Sequence, residues 1–224
     1  MGKRKLIRFA QIDGFANVIQ PNDKFPVEDH HYKGKWNEKV FGNLNPIILE
    51  IGCGKGEYTL ALARKYPEKN FIGIDIKGER IWKGARQAIE ENLVNVVFLR
   101  IQAERINYFF GENEISEIWL TFPDPQMRGS RSKKRLTSPK FLSRYQGIIK
   151  PHGPVNLKTD SDTLFDYTLE LIAEQGHRLI FSTRDLYILP FAGNPMAREV
   201  ESYYESIYLS QGNAIKYLQF LLKE

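Results

Sequence analysis

The sequence contains little of what builds disulfide-bonded or membrane proteins. Its 224 residues include one cysteine, Cys53, which excludes an intramolecular disulfide framework and a multi-cysteine zinc site. No apolar run approaches the roughly 20 residues that span a bilayer, and the basic start MGKRKLIRFA lacks the apolar segment of a secretory signal. We therefore expect a cytoplasmic protein with no membrane partner.

Candidate metal ligands are equally sparse. The four histidines have no partner at a ligand or catalytic spacing. Asp160 and Asp162 are close in the sequence, but neither a histidine nor a third acid accompanies them. We therefore expect no bound metal.

The chain also lacks internal repeats and low-complexity segments, and its 42% hydrophobic residues suit one substantial core. We expect a single domain over residues 1–224. Residues 1–45 carry scattered charges, several aromatics and prolines. They predict an irregular amino-terminal arm with one short helix near Asn37–Phe41.

Apolar runs of strand length recur at intervals of roughly 20 to 25 residues, and helical patterns separate the first three. Further on, GPVNLKTD and HRLIFSTRDL have the composition of strands, and AIKYLQFLLK suits a last strand or a short helix. This alternation predicts a Rossmann-like α/β fold with a mostly parallel seven-stranded sheet flanked by helices, because crossover helices return the chain between parallel strands. The first four runs are PIILEIG from Pro46, FIGIDI from Phe71, VNVVFLRI from Val94 and ISEIWLTF from Ile115.

A glycine-rich turn follows the first predicted strand. In ILEIGCGKGEY, Gly52, Gly54 and Gly56 lie between a strand and a helix, where a tight turn and close approach to a ligand favour glycine. Such a turn indicates a nucleotide-type ligand, and NAD and S-adenosylmethionine are the alternatives. The Gly-x-Gly-x-Gly spacing favours S-adenosylmethionine, as does Glu50, whose carboxylate can receive the ammonium of that cofactor.

Two polar residues at the next strand ends suit the same ligand. Asp75 ends the run FIGID, where an acid can accept both ribose hydroxyls of either cofactor. Gln102 follows the third run and can accept from the adenine amine while donating to a ring nitrogen. The predicted cofactor-binding residues are therefore Glu50, Gly52, Gly54, Asp75 and Gln102.

A single acid between two prolines follows the fourth run, in LTFPDPQMRGSRSKKRL. Proline fixes its own backbone and restricts the residue before it, so Pro123 and Pro125 hold Asp124 in an extended segment. In open α/β sheets, reactive groups lie at the carboxyl ends of strands near the point where the strand order reverses. We therefore predict that Asp124 contacts the cofactor and acts in catalysis.

The densest positive segment of the chain comes directly after this acid, in a chain with a net charge of +5. Most charge runs are solvated loops. A basic loop at the rim of a cofactor site would instead bind the phosphates of a nucleic acid whose base enters that site. Arginine also stacks on unpaired bases, which suits an RNA loop. The basic residues are Arg128, Arg131, Lys133, Lys134 and Arg135.

Together these segments resemble the bacterial tRNA (guanine-N7)-methyltransferases, which modify the guanine at position 46 in the variable loop of tRNA. KGKWNEKVFG, ILEIGCGKGEY, FIGID, FPDP, KKRLTSPKFL, LKTDSD and the closing YYE and QGNAI match in order, from about Gly34 onward. The resemblance implies an S-adenosylmethionine-dependent methyltransferase fold and tRNA as the partner. It places Glu50, Asp75, Gln102 and Asp124 at cofactor-contacting positions, Asp124 also at the catalytic position, and Arg128, Asp160, Ser202, Tyr203, Tyr204 and Glu205 at substrate-contacting positions.

Three of these positions depart from the family pattern. Gln102 stands where Asp or Asn is more usual, Arg128 where Lys is usual and Ser202 where Thr is usual. Each replacement keeps a hydrogen-bonding group. We therefore expect individual contacts to change more than the assignment.

The chemistry that the resemblance implies needs no strong general base, because guanine N7 carries an exposed lone pair. In-line orientation of N7, methyl carbon and sulfur should supply most of the rate. A carboxylate beside the ring stabilises the positive charge that develops there, and Asp124 is the candidate. Asp124, Asp160 and Glu205 can each accept from guanine N1 and N2, and the sequence leaves all three open for that recognition.

Two other functions stay open. A non-catalytic RNA-binding module could use the same fold, but the intact glycine turn with Glu50 and Asp75 disfavours it. A methyltransferase of a different RNA base is the other alternative. Enzymes that methylate exocyclic amines favour an aromatic residue after two prolines, whereas Gln126 and Met127 follow Pro125 here.

Overall fold

The computed structural model describes residues 3–21 and 28–223, and its centre is one sheet of eight strands. The strands are β1 Val18–Ile19, β2 Ile47–Ile51, β3 Asn70–Ile74, β4 Val96–Leu99, β5 Glu117–Thr121, β6 Pro154–Thr159, β7 Arg178–Thr183 and β8 Lys216–Leu221. Their order in the sheet is β1-β4-β3-β2-β5-β6-β8-β7. Among these described strands, β8 alone pairs antiparallel with its neighbours, β6 and β7. The mostly parallel α/β fold is confirmed, and the last segment is a strand.

Helices cover both faces of this sheet. The α-helices of the described chain are α1 Lys3–Ile12, α2 Glu57–Lys65, α3 Gly78–Glu90, α4 Pro139–Gln146, α5 Asp162–Glu174, α6 Met196–Glu199 and α7 Tyr203–Ser210. Two 3₁₀ helices span Ala103–Tyr108 and Gly129–Lys134.

The predicted count of seven strands is wrong by one, because β1 joins the edge of the sheet beside β4. The Phe98 N–H donates to the Asn17 carbonyl at 2.8 Å, and the Arg100 N–H donates to the Ile19 carbonyl at 2.9 Å. A strand of two residues is too short to leave an alternating or continuous apolar pattern. The hydrogen bonds to β4 are what identify β1 as a strand.

The amino-terminal arm is also more regular than predicted. The helix α1 packs on α3, where the Trp82 indole N–H donates to Gln11 Oε1 at 2.9 Å. Packing of this kind supplies most of a short helix's stability. The expected short helix is confirmed as a π-helical turn at Asn37–Phe41. A single domain over residues 1–224, with residues 1–45 as its arm, stays our interpretation.

The central strands are buried on both faces, which is why they read as continuous apolar runs. In β2, Ile47, Leu49 and Ile51 pack into the core on one side of the sheet. Ile48 packs into the core on the other side, and Glu50 shares its face by alternation. Glu50 is therefore an acid near the carboxyl end of a buried strand.

The strand order reverses between β2 and β5, since the chain builds β3 and β4 on one side of this pair and β6 on the other. Glu50 and Trp119 are opposite each other in the β2–β5 register. The turn at residues 52–56 and the loop at residues 122–126 therefore leave the sheet side by side. Such a reversal opens a crevice at the carboxyl ends of the strands, where ligands bind in open α/β sheets.

Candidate active site

Two neighbouring cavities of about 480 Å³ and about 500 Å³ lie at this crevice. The first contains Glu50, Asp160, Ser202 and Tyr204. The second extends along the ends of β3 and β4 to Asp75 and Gln102. Residues that line both are Gly52, Lys77, Arg80, Phe122, Pro123 and Asp124.

The glycine turn requires glycine for two separate reasons. Gly52, Gly54 and Gly56 have φ of 83°, 57° and 72°, a region that side chains disfavour. A Cβ on Gly56 would also lie 2.5 Å from Cε1 of Phe98. The turn is therefore tightly packed on the side that faces Phe98 and open to a ligand on the side that faces the cavity.

Asp75 fixes this turn from the neighbouring strand end. Its Oδ2 accepts from the Gly54 N–H at 3.0 Å, and its Oδ1 accepts from the Lys77 N–H at 2.7 Å. Gln102 is the N-cap residue of the 3₁₀ helix Ala103–Tyr108, which follows β4, and it lines the second cavity together with Asp75. The structure therefore brings together the acid and the amide that the sequence assigned to ribose and adenine.

Glu50 is 5% exposed and lines the first cavity. Its Oε2 accepts from the Thr59 N–H at 3.0 Å and from the Thr59 hydroxyl, and its Oε1 accepts from the Thr121 hydroxyl. Burial raises the pKa of this carboxyl to about 7, although the threonine hydrogen bonds oppose the rise. The two threonines were not predicted, because a hydroxyl residue next to a glycine turn or a strand end carries no distinctive pattern.

Asp124 is exposed and lines both cavities. Its Oδ1 accepts from the Gln126 N–H at 2.9 Å, a local turn that leaves Oδ2 without a hydrogen-bond donor in the described part of the chain. Phe122 and Gln126 have φ of 47° and 46°, which is uncommon for residues other than glycine. The acid therefore sits in a loop that is strained on both sides.

The predicted substrate-contacting residues divide into two environments. Asp160, Ser202 and Tyr204 line the first cavity, where Ser202 caps α7. Tyr203 is 56% exposed and lies beside the cavity, with Lys55 Nζ 5.2 Å from its ring centre. Exposed rings at a cavity rim can stack on unpaired bases.

Glu205 is different, because its side chain is fully buried. Lys158 Nζ donates to its Oε2 at 2.8 Å, and the Tyr187 hydroxyl donates to its Oε1 at 2.7 Å. The Lys158 ammonium also donates to the Ala197 and Val200 carbonyls, and desolvation lowers its pKa. Glu205 therefore lies under the wall of the cavity, and the resemblance did not indicate this burial. The sequence did contain one signal of a buried ion pair, which is the single lysine of LKTD in an otherwise apolar strand.

The cations of the basic segment also lie in two different environments. The side chains of Arg128, Arg131, Lys133 and Lys134 are exposed along and beside the 3₁₀ helix Gly129–Lys134, and Lys134 reaches the second cavity. Arg135 is only 6% exposed. The expectation that all five cations face a phosphate backbone is therefore wrong for Arg135, because its guanidinium is directed into the protein.

Within residues 3–21 and 28–223, no three His, Cys, Asp or Glu side chains meet as a metal site. Lys216 Nζ lies between the two acids of the LKTDSD segment, since it donates to the Asp160 carbonyl at 2.9 Å and is 3.1 Å from Asp162 Oδ2. None of the helices in these ranges combines the length and the apolar composition of a membrane-spanning segment.

Sequence comparison relates the chain to methyltransferases. The model of a family described as "Putative methyltransferase" matches residues 44–218. The chain is 48% identical over 222 residues to the tRNA (guanine-N(7)-)-methyltransferase of Christiangramia forsetii, with 99% of each chain covered. It is 44% identical to the Bacteroides fragilis protein of that name, covering 100% of this chain and 88% of the relative. For Clostridium acetobutylicum the identity is 39%, with 92% and 91% covered.

Solved structures of similar shape are distant in sequence. The 16S rRNA methyltransferase KamB has a TM-score of 0.63 at 17% identity, with 84% of this chain and 92% of KamB covered. A variant 16S rRNA (adenine(1408)-N(1))-methyltransferase from Catenulisporales acidiphilia, solved with cosubstrate SAM, has a TM-score of 0.56 at 15% identity, with 85% and 91% covered. At these identities the likeness concerns the fold alone.

Proposed function

We infer the reaction from the family: the chain belongs to the tRNA (guanine-N(7)-)-methyltransferases, and it is an S-adenosylmethionine-dependent enzyme that methylates N7 of guanine in tRNA. We propose guanine 46 of the variable loop as its target, the position that the resemblance to the bacterial enzymes implies. The observation that carries the active-site proposal is Asp124, which borders both cavities and has one carboxylate oxygen that accepts from no donor in residues 3–21 and 28–223.

The residues at the crevice fit the cofactor. S-adenosylmethionine supplies a methyl group on a positively charged sulfur when it is bound. Gly52 and Gly54 leave the backbone open to close approach, and Asp75 offers a carboxylate held by two backbone donors. Burial raises the pKa of Glu50 to about 7, and a bound cation such as an ammonium group would lower this pKa and favour the charged carboxylate. Gln102 is placed to hydrogen-bond the adenine.

Asp124 is the proposed catalytic residue. Methylation at N7 places positive charge on the guanine ring without removing a proton first, so a carboxylate beside the ring stabilises the transition state. Because the Gln126 N–H occupies Oδ1, Oδ2 of Asp124 is the oxygen assigned to that task or to accepting from guanine N1 and N2. The strained loop around it would hold the carboxylate in one place, which favours orientation over flexibility.

Recognition of guanine is better suited to Asp160 than to Glu205. Asp160 lines the first cavity with Ser202 and Tyr204, whereas the Glu205 carboxylate is already paired with Lys158. A contact between Glu205 and RNA would require that buried pair to separate. We therefore assign Glu205 to support of the cavity wall and leave Asp124 and Asp160 as the guanine-reading acids.

Capture of tRNA is assigned to the exposed cations and rings around the crevice. Arg128, Arg131, Lys133 and Lys134 present positive charge beside the second cavity, where phosphates of an entering loop would pass. Tyr203 and Tyr204 offer exposed rings on the side of the first cavity. A tRNA-modifying role also favours the cytoplasm as the location.

The proposed position is tested by reacting the purified protein with unmodified tRNA and S-adenosylmethionine. We expect 7-methylguanosine at one site, position 46, detected by chain scission after reduction and aniline treatment. Scission at another position would replace the proposed target, and no scission by a folded, cofactor-binding protein would contradict the reaction. Titration calorimetry with the cofactor separates the non-catalytic alternative, which predicts no binding.

A further inference from the structure

Arg135 ends the basic segment but has the environment of an interior residue. Its side chain is 6% exposed, and its guanidinium lies 4.3 Å from the ring centre of Tyr167 in α5. Burial of an arginine is costly unless its N–H groups find acceptors. The acceptors it has found therefore indicate what the residue does.

Those acceptors belong to the loop that carries Asp124. Arg135 Nε donates to the Pro125 carbonyl at 3.0 Å, and Nη2 donates to the Gln126 carbonyl at 3.5 Å, the long limit for a hydrogen bond. In the described ranges, no other side chain donates to a carbonyl of residues 122–126. The guanidinium is thus the polar clamp on the backbone directly after Asp124.

The clamped loop needs such a support. Phe122 and Gln126 both adopt positive φ, a conformation that persists only where the surroundings impose it. The Gln126 N–H is used by Asp124 itself, and Pro125 has no N–H to donate. Contacts to the carbonyls are therefore the remaining means of fixing these two residues through their backbone.

Arg135 is itself fixed at the base of α4. Its N–H donates to the Ser132 carbonyl at 3.0 Å, and the Ser138 hydroxyl donates to the Lys133 carbonyl at 3.2 Å. The exposed cations of the segment and the clamp are consequently parts of one short, bonded stretch of chain.

We propose that Arg135 is a positioning residue that holds the Asp124 loop in its reactive conformation, while its exposed neighbours bind the RNA. The proposal rests on the proposed function, since it assigns Asp124 to methyl transfer. Its consequence is that two adjacent cations, Lys134 and Arg135, serve different steps of the reaction.

The test compares Arg135→Met, Arg135→Lys and Lys134→Met in the full-length protein, with Lys140→Met as the matched control. Lys140 is an exposed cation on α4 that lines neither cavity, so its removal should leave activity unchanged. Single-turnover methyl transfer is measured at saturating tRNA and cofactor, and rates are normalised to the sites that bind S-adenosylmethionine. The dissociation constant for tRNA is measured separately by filter binding.

We expect Arg135→Met to slow single-turnover transfer by about tenfold or more while tRNA affinity changes by less than about threefold. Arg135→Lys should recover part of the rate, because lysine keeps a charged donating nitrogen but not the two-point fork of the guanidinium. Lys134→Met should instead weaken tRNA binding. Adding Arg135→Met to Asp124→Asn should cost little further rate, since residues that act as one unit are not additive.

Three results would overturn the proposal. Arg135→Met could weaken tRNA binding at a normal single-turnover rate, which would return it to phosphate contact. Its effect could multiply fully with that of Asp124→Asn, which would indicate a structural role unrelated to the acid. If Arg135→Met does not fold, a wild-type rate in Arg135→Lys would equally reject the two-point clamp. Failure of the proposed function is distinct, because it would appear as no methyl transfer by the wild-type protein.

Discussion

Replacement of Lys158 by methionine should destabilise the protein by about 3–5 kcal/mol, because it leaves the Glu205 carboxylate buried without its counterion. Both side chains of this pair are 0% exposed, and the ammonium bonds Glu205 at 2.8 Å, the Ala197 carbonyl at 2.7 Å and the Val200 carbonyl at 3.1 Å. Methionine fills much of the same volume but offers no donor to these acceptors.

The loss is measurable as a shift in thermal midpoint. For a protein of this size each kcal/mol corresponds to roughly 2–4 °C, so we expect a thermal midpoint lower by about 6–20 °C in calorimetry. The double variant Lys158→Met with Glu205→Leu should recover part of this loss, since replacing both members of a buried pair by apolar residues is tolerated better than removing one.

The reasoning would be refuted by a loss below about 1 kcal/mol in Lys158→Met, or by a double variant whose loss of stability equals or exceeds the sum of the losses in the two single variants. Either result would mean that the Glu205 charge is relieved by water or by protonation at little cost. Activity provides a second readout: the segment tied by Lys158 leads into Ser202 and Tyr204 at the cavity, so methyl transfer should fall before global unfolding.

The remaining predictions concern the crevice itself. Asp124→Asn should slow methyl transfer by roughly 10- to 100-fold with tRNA affinity largely kept; equal loss of rate and binding would assign Asp124 to recognition instead. Lys133→Glu with Lys134→Glu should weaken tRNA binding and lower its dependence on salt, by about one unit of log slope per lost phosphate contact, and an unchanged slope would remove the segment from the interface. Glu50 has a folded pKa of about 7, raised above the ordinary 4.5, so its contribution to stability is full below pH 4.5 and is lost as the pH rises through 7. Without cofactor, the wild type should therefore lose roughly 3 kcal/mol relative to Glu50→Gln between these values, measured by urea denaturation across pH, and parallel curves would contradict it.

The sheet could be predicted from sequence because its central strands are covered on both faces and leave unbroken apolar runs. The glycine turn was equally readable, since Gly52, Gly54 and Gly56 all need a positive φ. The two-residue β1 could not be predicted, because its identity lies in hydrogen bonds to β4 rather than in its own side chains.

The order of the elements along the chain was enough to predict that Glu50, Asp75 and Asp124 lie around one crevice. Each acid lies at or just beyond the carboxyl end of a parallel strand, and those ends share one edge of the sheet. The tertiary structure decided which charges are buried. Arg135 and Glu205 look like their exposed neighbours in sequence, yet they are buried by partners distant in the chain, Tyr167 and Lys158. Burial of a charge depends on a counterion or a set of acceptors that only the folded chain brings within hydrogen-bonding distance.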